Sequence, residues 1–420
     1  TYEEQTKGNP ERRNEFITAS IGDASLLNPV LYSDSSSADI IEKVFEGLLD
    51  RDKDLSYRGR LAKSWEIFEE AYLYVNPRGS VPGMDKISGK ALVQYLQTAR
   101  EKSGRYEPAV ESSLNRIEKI SLQGPSKFER EIKLDRKKQK VRVKVSAPAR
   151  IKFRLKEVDP DFFRNLSSLL GEGYFDSFTP LEHVQVEKDI PLSGKKELAA
   201  RILPVKEHNP VLLFRLRDGV EFHDGHELDA EDVQFTYNAI TDPENLSPRV
   251  ADFEPVKEVR AVSDLTVKVI YKRLYSTALA SWSIGILPRH LLNEKALNKE
   301  ARQRGRDPED FSMRDSRFNR NPVGCGPFEF DTWKSGQYIQ LNRFQDYWEG
   351  APNYQRFIYR IIPDRLTQEM EFYAGTLDNY SVQPHQVERL KNDPRYQSFS
   401  GISFGYSYIG YNMRRSPFDE

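Results

Sequence analysis

Cysteine is almost missing from this chain of 420 residues, with only Cys325 present. One thiol excludes an internal disulfide and argues against cysteine-ligated zinc or iron–sulfur sites within one chain. Neither sign of charge is in excess, since 63 Lys+Arg face 64 Asp+Glu and leave a net charge of −1. That balance predicts no global attraction to DNA, RNA or anionic lipid, so no nucleic-acid partner is expected. No run approaches the ~20 apolar residues needed to cross a bilayer. The opening Thr1–Arg13 has no apolar signal core. It reads as a mature or trimmed amino terminus, with residues 1–15 as a flexible tether. No nucleophile, base and orienting group stand at an interpretable spacing, so an enzyme is not expected. Nor is any cofactor.

What is present suits a packed protein. Aromatics make up 11% of the chain, ample for a core even with 30% charged residues. The length predicts two or three domains, because one core stops growing near ~250–300 residues. Phe16–Ile21 reads as a buried strand. A helix is expected over Ser37–Leu49 on the spacing of Ile40, Ile41, Val44, Phe45 and Leu48, with Ser36 or Ser37 as N-cap. Leu61–Ile67 begins another strand. Ser88 is placed to cap a helix through Lys102, and Asp159-Pro160 to start one that Gly171 ends after Leu170. Val141, Val143 and Val145 alternate with basic residues, as do Ile151, Phe153 and Leu155. The Ala147-Pro148-Ala149 break between them predicts a β-hairpin.

Phe214–Gly225 followed by Leu228–Tyr237 reads as a strand, a tight Asp-Gly turn and a helix with an acidic cap. Asp229 would cap, and Glu231 and Asp232 would complement the helix dipole. Glu221, His223, Asp224, His226 and Glu227 could be taken for metal ligands, but Asp224-Gly225 explains them as a turn, so no metal site is expected. Gly83–Ala91 has the wrong spacing for a phosphate loop, and Ala91 stands where Ser or Thr is needed. Cys325, between Gly324 and Gly326, reads as a small-residue position rather than a nucleophile. The basic run Lys133–Lys156 reads as a solvated face of the hairpin.

Several segments together carry a resemblance. Phe45-Glu-Gly-Leu-Leu49, Leu61-Ala-Lys-Ser-Trp65, the Phe214–Tyr237 signature, the Val256–Tyr271 strand pair and Pro288-Arg-His-Leu291 follow one another in order. Asn321-Pro-Val-Gly-Cys-Gly-Pro-Phe328, Asp346-Tyr-Trp348 and Ala374-Gly-Thr-Leu-Asp378 complete the series. The order resembles that of the family 5 extracellular solute-binding proteins, the peptide- and nickel-type receptors that hand ligands to ABC importers. It covers residues 16–67 and 209–420.

The resemblance implies an α/β, type II periplasmic-binding-protein fold. Residues 16–50 and 272–385 would form a discontinuous lobe I, and 51–271 an appended small domain. That domain would contain an unrecognised α+β insertion at 68–208. Residues 386–420 would begin the crossover into lobe II. Family members continue well beyond this point, so the second lobe is expected to be largely absent from this chain, as a fragment or as a separate polypeptide. The implied function is capture of a peptide-like or other small solute between two lobes that close about a hinge, in partnership with ABC permease subunits. The place would be periplasmic or extracytoplasmic, free or lipid-anchored. Ligand contacts would fall at Leu27, Asn28 and Pro29, at Ser247, Arg249 and Asp252, and at Tyr406, Tyr408 and Asn412. The alternatives are a receptor-fold scaffold that no longer binds solute, or a receptor for nickel or another non-peptide solute.

Overall fold

The computed structural model describes residues 10–102, 104–134, 139–171, 173–187, 191–275, 277–401 and 409–418. In chain order, strand β1 (Glu15–Ser20) leads to helix α1 (Ser35–Val44). The short pair β2 (Leu49–Arg51) and β3 (Tyr57–Gly59) follows, and then the long β4 (Ala62–Tyr74). Next come α2 (Gly89–Glu101), α3 (Pro108–Arg116), β5 (Ile117–Gln123), β6 (Ser126–Leu134), β7 (Gln139–Ala147) and β8 (Arg150–Leu155). After α4 (Phe162–Leu170), β9 (Val184–Val186) and α5 (Leu192–Ile202), the chain returns through β10 (Lys206–Leu216). It continues through α6 (Ala230–Thr241), β11 (Val256–Ser263), β12 (Thr266–Tyr271) and α7 (Glu294–Gln303). The last elements labelled here are β13 (Phe328–Lys334), β14 (Tyr338–Arg343), β15 (Arg356–Ile361) and α8 (Arg365–Tyr373).

Two sheets frame the molecule. One runs β1-β15-β14-β13, with β1 parallel to β15 and the rest antiparallel. Asp378 ties down its edge by accepting from the Ile17 amide at 2.7 Å and pairing with Arg12 at 2.8 Å. Residues 10–14, assigned to the tether from sequence, form a 3-10 turn through which the buried Arg12 docks. The other sheet is antiparallel throughout, in the order β11-β12-β10-β4-β8-β5. Its centre is the β4–β10 ladder, paired from Ala62↔Leu216 to Leu73↔Lys206.

Apolar packing sorts into three clusters. The main core joins α1, the first half of β4, the second half of β10, α6, β11, β12 and the β13–β15 sheet, with Trp282, Phe214, Phe222 and Tyr271 fully buried. A second cluster gathers Leu92, Leu96, Phe153, Phe162, Phe163 and Tyr174 under the second half of β4. A third, smaller one holds Val141, Val143 and Val145 against Phe178, Leu198 and Leu203.

Several local expectations need correction. Helix α1 starts two residues earlier than expected, because Asp34 rather than Ser36 or Ser37 is the cap and accepts from the Ser37 amide at 2.7 Å. It stops at Val44, where Phe45 turns extended and its amide closes on Ile41. Helix α4 begins at Phe162, after Pro160, and Gly171 ends it at φ +84°. Strand β1 is half-buried at a sheet edge rather than buried. The expected 141–155 hairpin does not form. Strand β7 pairs with β6 and β9, whereas β8 pairs with β4 and β5. Each apolar row belongs to a different core, so the chain turns a corner at Pro148 instead of folding back.

Candidate functional site

The Phe45-Glu-Gly-Leu-Leu49 segment is built for close backbone packing. A side chain at Gly47 would meet the Ser283 carbonyl carbon at 2.5 Å, and one at Gly285 would meet Phe45 Cβ at 2.5 Å. The bare backbones therefore approach, and the Leu48 amide donates to Trp282 O at 2.9 Å and the Ile286 amide to Glu46 O at 3.0 Å. On the other side the Gly326 amide donates to Val44 O at 2.9 Å, satisfying a carbonyl at the end of α1. A Cβ at Gly324 would lie 1.9 Å from that same oxygen, so the glycines flanking Cys325 are steric requirements. Cys325 itself is fully buried, and burial holds its thiol protonated. It is not a reactive thiolate.

Around this packing lies an open groove of about 570 Å³. Its walls are Pro29 and Tyr32 from the loop before α1, Ile41 to Lys43 from α1, Arg249 to Phe253, and Ala280 to Gly285. Arg249 stands 4.4 Å over the Tyr32 ring, and among the described residues neither Arg249 nor the Asp252 carboxylate has an ion-pair partner. Glu46 closes one end. It is buried and pairs with Arg60, while Trp348 Nε1 donates to it at 2.6 Å and Tyr347 Oη at 3.1 Å. Burial pushes its carboxyl up despite those donors.

Of the residues expected to touch ligand, the structure brings Pro29, Arg249 and Asp252 into this groove. Leu27 and Asn28 lie beneath it, fully buried. Asn28 Nδ2 donates to Asn319 Oδ1 at 3.0 Å, and its Oδ1 accepts from the Val30 amide. Ser247 stands behind the wall and fixes the loop by donating to Val30 O at 2.5 Å. Asn412 is exposed in a local turn and does not line the groove. Tyr406 and Tyr408 lie outside the described residues. Sequence reasoning missed Tyr32, Glu42, Lys43, Glu46, Asp50 and Arg60. Glu46 lies in the Phe45–Leu49 motif, and the glycine that follows it, Gly47, is the sequence signal of the close-packed turn.

The histidine-rich turn takes a structural role. His223 Nε2 donates to Gly326 O at 2.9 Å and Nδ1 accepts from the Gly324 amide at 3.2 Å, so the ring is a neutral clamp between two loops. Burial lowers its pKa to about 4, against the opposing effects of the Gly326 bond and Asp224. His226 stacks on His290 at 4.0 Å, and His290 pairs with Asp224 at 2.7 Å. Among the described residues no three of these groups converge as a metal site would require. Asp232 reaches from the α6 capping box to the Arg289 amide at 2.8 Å.

This arrangement of sheets and helices is the type II periplasmic-binding-protein fold. Two solved structures share it. The oligopeptide-binding protein AppA of Bacillus subtilis, in complex with a nonapeptide, superposes with TM-score 0.54 at 20% identity, covering 97% of this chain and 51% of that one. MoaA of A. tumefacien R10, in complex with mannopinic acid, gives 0.50 at 16%, covering 97% and 53%. In sequence, residues 195–420 match the bacterial extracellular solute-binding proteins, family 5 middle. The chain belongs to that family. The oligopeptide-binding protein AppA of Bacillus subtilis (strain 168) is 30% identical over 269 residues, 62% of this chain and 46% of the relative. The heme-binding protein A of Haemophilus influenzae is 29% identical over 225 residues, 49% of this chain and 39% of the relative. The chain thus spans about half or less of the length of the relatives it matches.

Proposed function

We propose that this chain supplies one wall of the ligand site in an extracytoplasmic receptor of an ABC importer, and that the solute is peptide-like. The observation that carries this reading is the pair Arg249 and Asp252, a cation and an anion in a groove of ligand size that, like Lys43 and Glu42 beside them, have no ion-pair partner among the described residues. A zwitterionic chain offers one charge to each, and the Tyr32 and Phe253 rings supply apolar surface beside them. The oligopeptide-binding relative supports the same solute class. In this reading residues 16–50 and 272–385 form lobe I, 51–271 the small domain, and 386–420 leads to a second lobe. Ligand bridging the lobes stabilises the closed state that the permease recognises.

Calorimetry on the intact receptor with short peptides provides the test. Saturable binding is expected, weakened about tenfold or more by Arg249→Ala or Asp252→Ala, or about 1.4 kcal/mol each. Unchanged affinity in both variants removes these residues from the site, and no peptide binding at all removes the solute class. A scaffold without solute is the second reading. Residues 68–208 favour it, because an importer's receptor needs no such insertion, and a stable protein partner on that segment would establish it.

A further inference from the structure

A second cleft, of about 810 Å³, opens where the insertion meets the six-stranded sheet and shares no residue with the groove. Its floor is the outer face of the six-stranded sheet, with Glu70 and Tyr72 from β4, Arg150 and Lys152 from β8, and Lys268 from β12. Its rim includes Arg130 from β6 and Arg201 from the last turn of α5. Seven cations line it against three carboxylates.

Those carboxylates are already engaged. Glu70, nearly buried, sits between Lys152 and Lys268, each at 2.8 Å, and accepts from Tyr72 Oη at 2.9 Å. Burial alone would raise its pKa, but the two ammonium groups hold it down near 2, so this trio keeps one net positive charge. Glu207 pairs with Lys257, and Glu258 with Arg260. Arg150 donates to Gln123 Oε1 at 2.6 Å and lies 4.2 Å over the Tyr72 ring, with the nearest carboxylate, Glu207, at 4.0 Å. Neither Arg130 nor Arg201 has a carboxylate partner among the described residues. The whole chain carries a net −1, so this positive field is local and focused by concave walls.

We propose that this cleft binds a small organic polyanion carrying several phosphate or carboxylate groups. The volume fits a compact ligand within the ~300–1,000 Å³ range of small-molecule sites. The cations line a recess rather than a convex stripe, which disfavours a duplex or a lipid surface. The insertion and the family-matched strands both contribute, so neither part alone makes the site.

The test is calorimetric titration of the full chain at physiological ionic strength, with inorganic tripolyphosphate and with citrate as probes. Saturable binding of at least one is expected, and the preferred probe identifies phosphate or carboxylate as the recognised group. Arg130→Ala/Arg201→Ala removes two exposed rim cations and should weaken binding about tenfold or more. Arg105→Ala/Arg365→Ala, outside the cleft, should not. Binding of neither probe, or equal weakening by both double variants, overturns the proposal. Far-UV circular dichroism and thermal melting confirm that each variant is folded before its affinity is read.

Discussion

His223 shows how one side chain can look like chemistry and work as a fastener. Its neighbours Asp224, His226 and Glu227 suggest a ligand set, yet both ring nitrogens are bonded to the backbone of the Gly-Cys-Gly loop. Because burial lowers its pKa to about 4, the folded chain prefers the neutral ring. An unfolded histidine titrates near ~6.5, so the unfolded chain binds more protons between these values. The stabilisation is fully present above pH ~6.5 and is lost as pH falls towards 4, amounting to at most about 3 kcal/mol. His223→Gln should flatten this part of the stability curve in urea unfolding at pH 7, 6, 5 and 4. A variant curve parallel to the wild type across that range would refute the clamp. The sequence could not have shown this role, since the partners Gly324 and Gly326 lie about a hundred residues away and are reached only through the fold.

Elements were legible where their signals are local. Ser88 caps α2 through the Ala91 amide, as its position before an amphipathic run implied. Asp229 caps α6 in a full capping box with Asp232, and the β11–β12 pair turns at Asp264-Leu265, one residue on from the expected Ser263-Asp264. The Asp229 carboxylate accepts from both Glu231 and Asp232 amides, so Asp229→Ala should cost about 1–2 kcal/mol, read as a shift in chemical denaturation midpoint. A loss below about 0.3 kcal/mol would mean the box is redundant. Partnering was not legible. Alternation identified β7 and β8 as strands but carried no information about which sheet each would join. Helix α1 differs from expectation at its start because Asp34 caps it ahead of the serines, and at its end because Phe45 turns extended although the apolar spacing runs on to Leu48. The groove was legible in part. Motif order led to Pro29, Arg249 and Asp252, whereas Asn28 and Ser247 bind the loop itself rather than the space in front of it.

For the whole molecule, the unequal cores set an order of opening. The three-stranded β6-β7-β9 layer rests on the smallest cluster, while the second half of β4 belongs to a larger one and its first half to the main core. Local opening follows buried apolar contact, so amides of β7 should exchange faster than those of β10. Hydrogen exchange followed by mass spectrometry reads this directly, and equal protection of the two strands would show a single cooperative unit instead. Strand β8, in a stretch that no motif of the resemblance covers, continues the sheet that holds β10, β11 and β12. Composition and motif order could not show that continuation.

That continuation bears on how such a segment can be moved between proteins. Strand β4 runs unbroken from one core into the next, paired with β10 along Ala62–Leu73, and β8 is hydrogen-bonded along its Glu69–Tyr74. A cassette cut at residues 75 and 205 would therefore arrive in a new host without the ladder it was built on. The transplantable unit begins near Phe68 and ends near Val211, taking the distal halves of both strands with it. Its recipient must offer a matching pair of open strand ends rather than a loop.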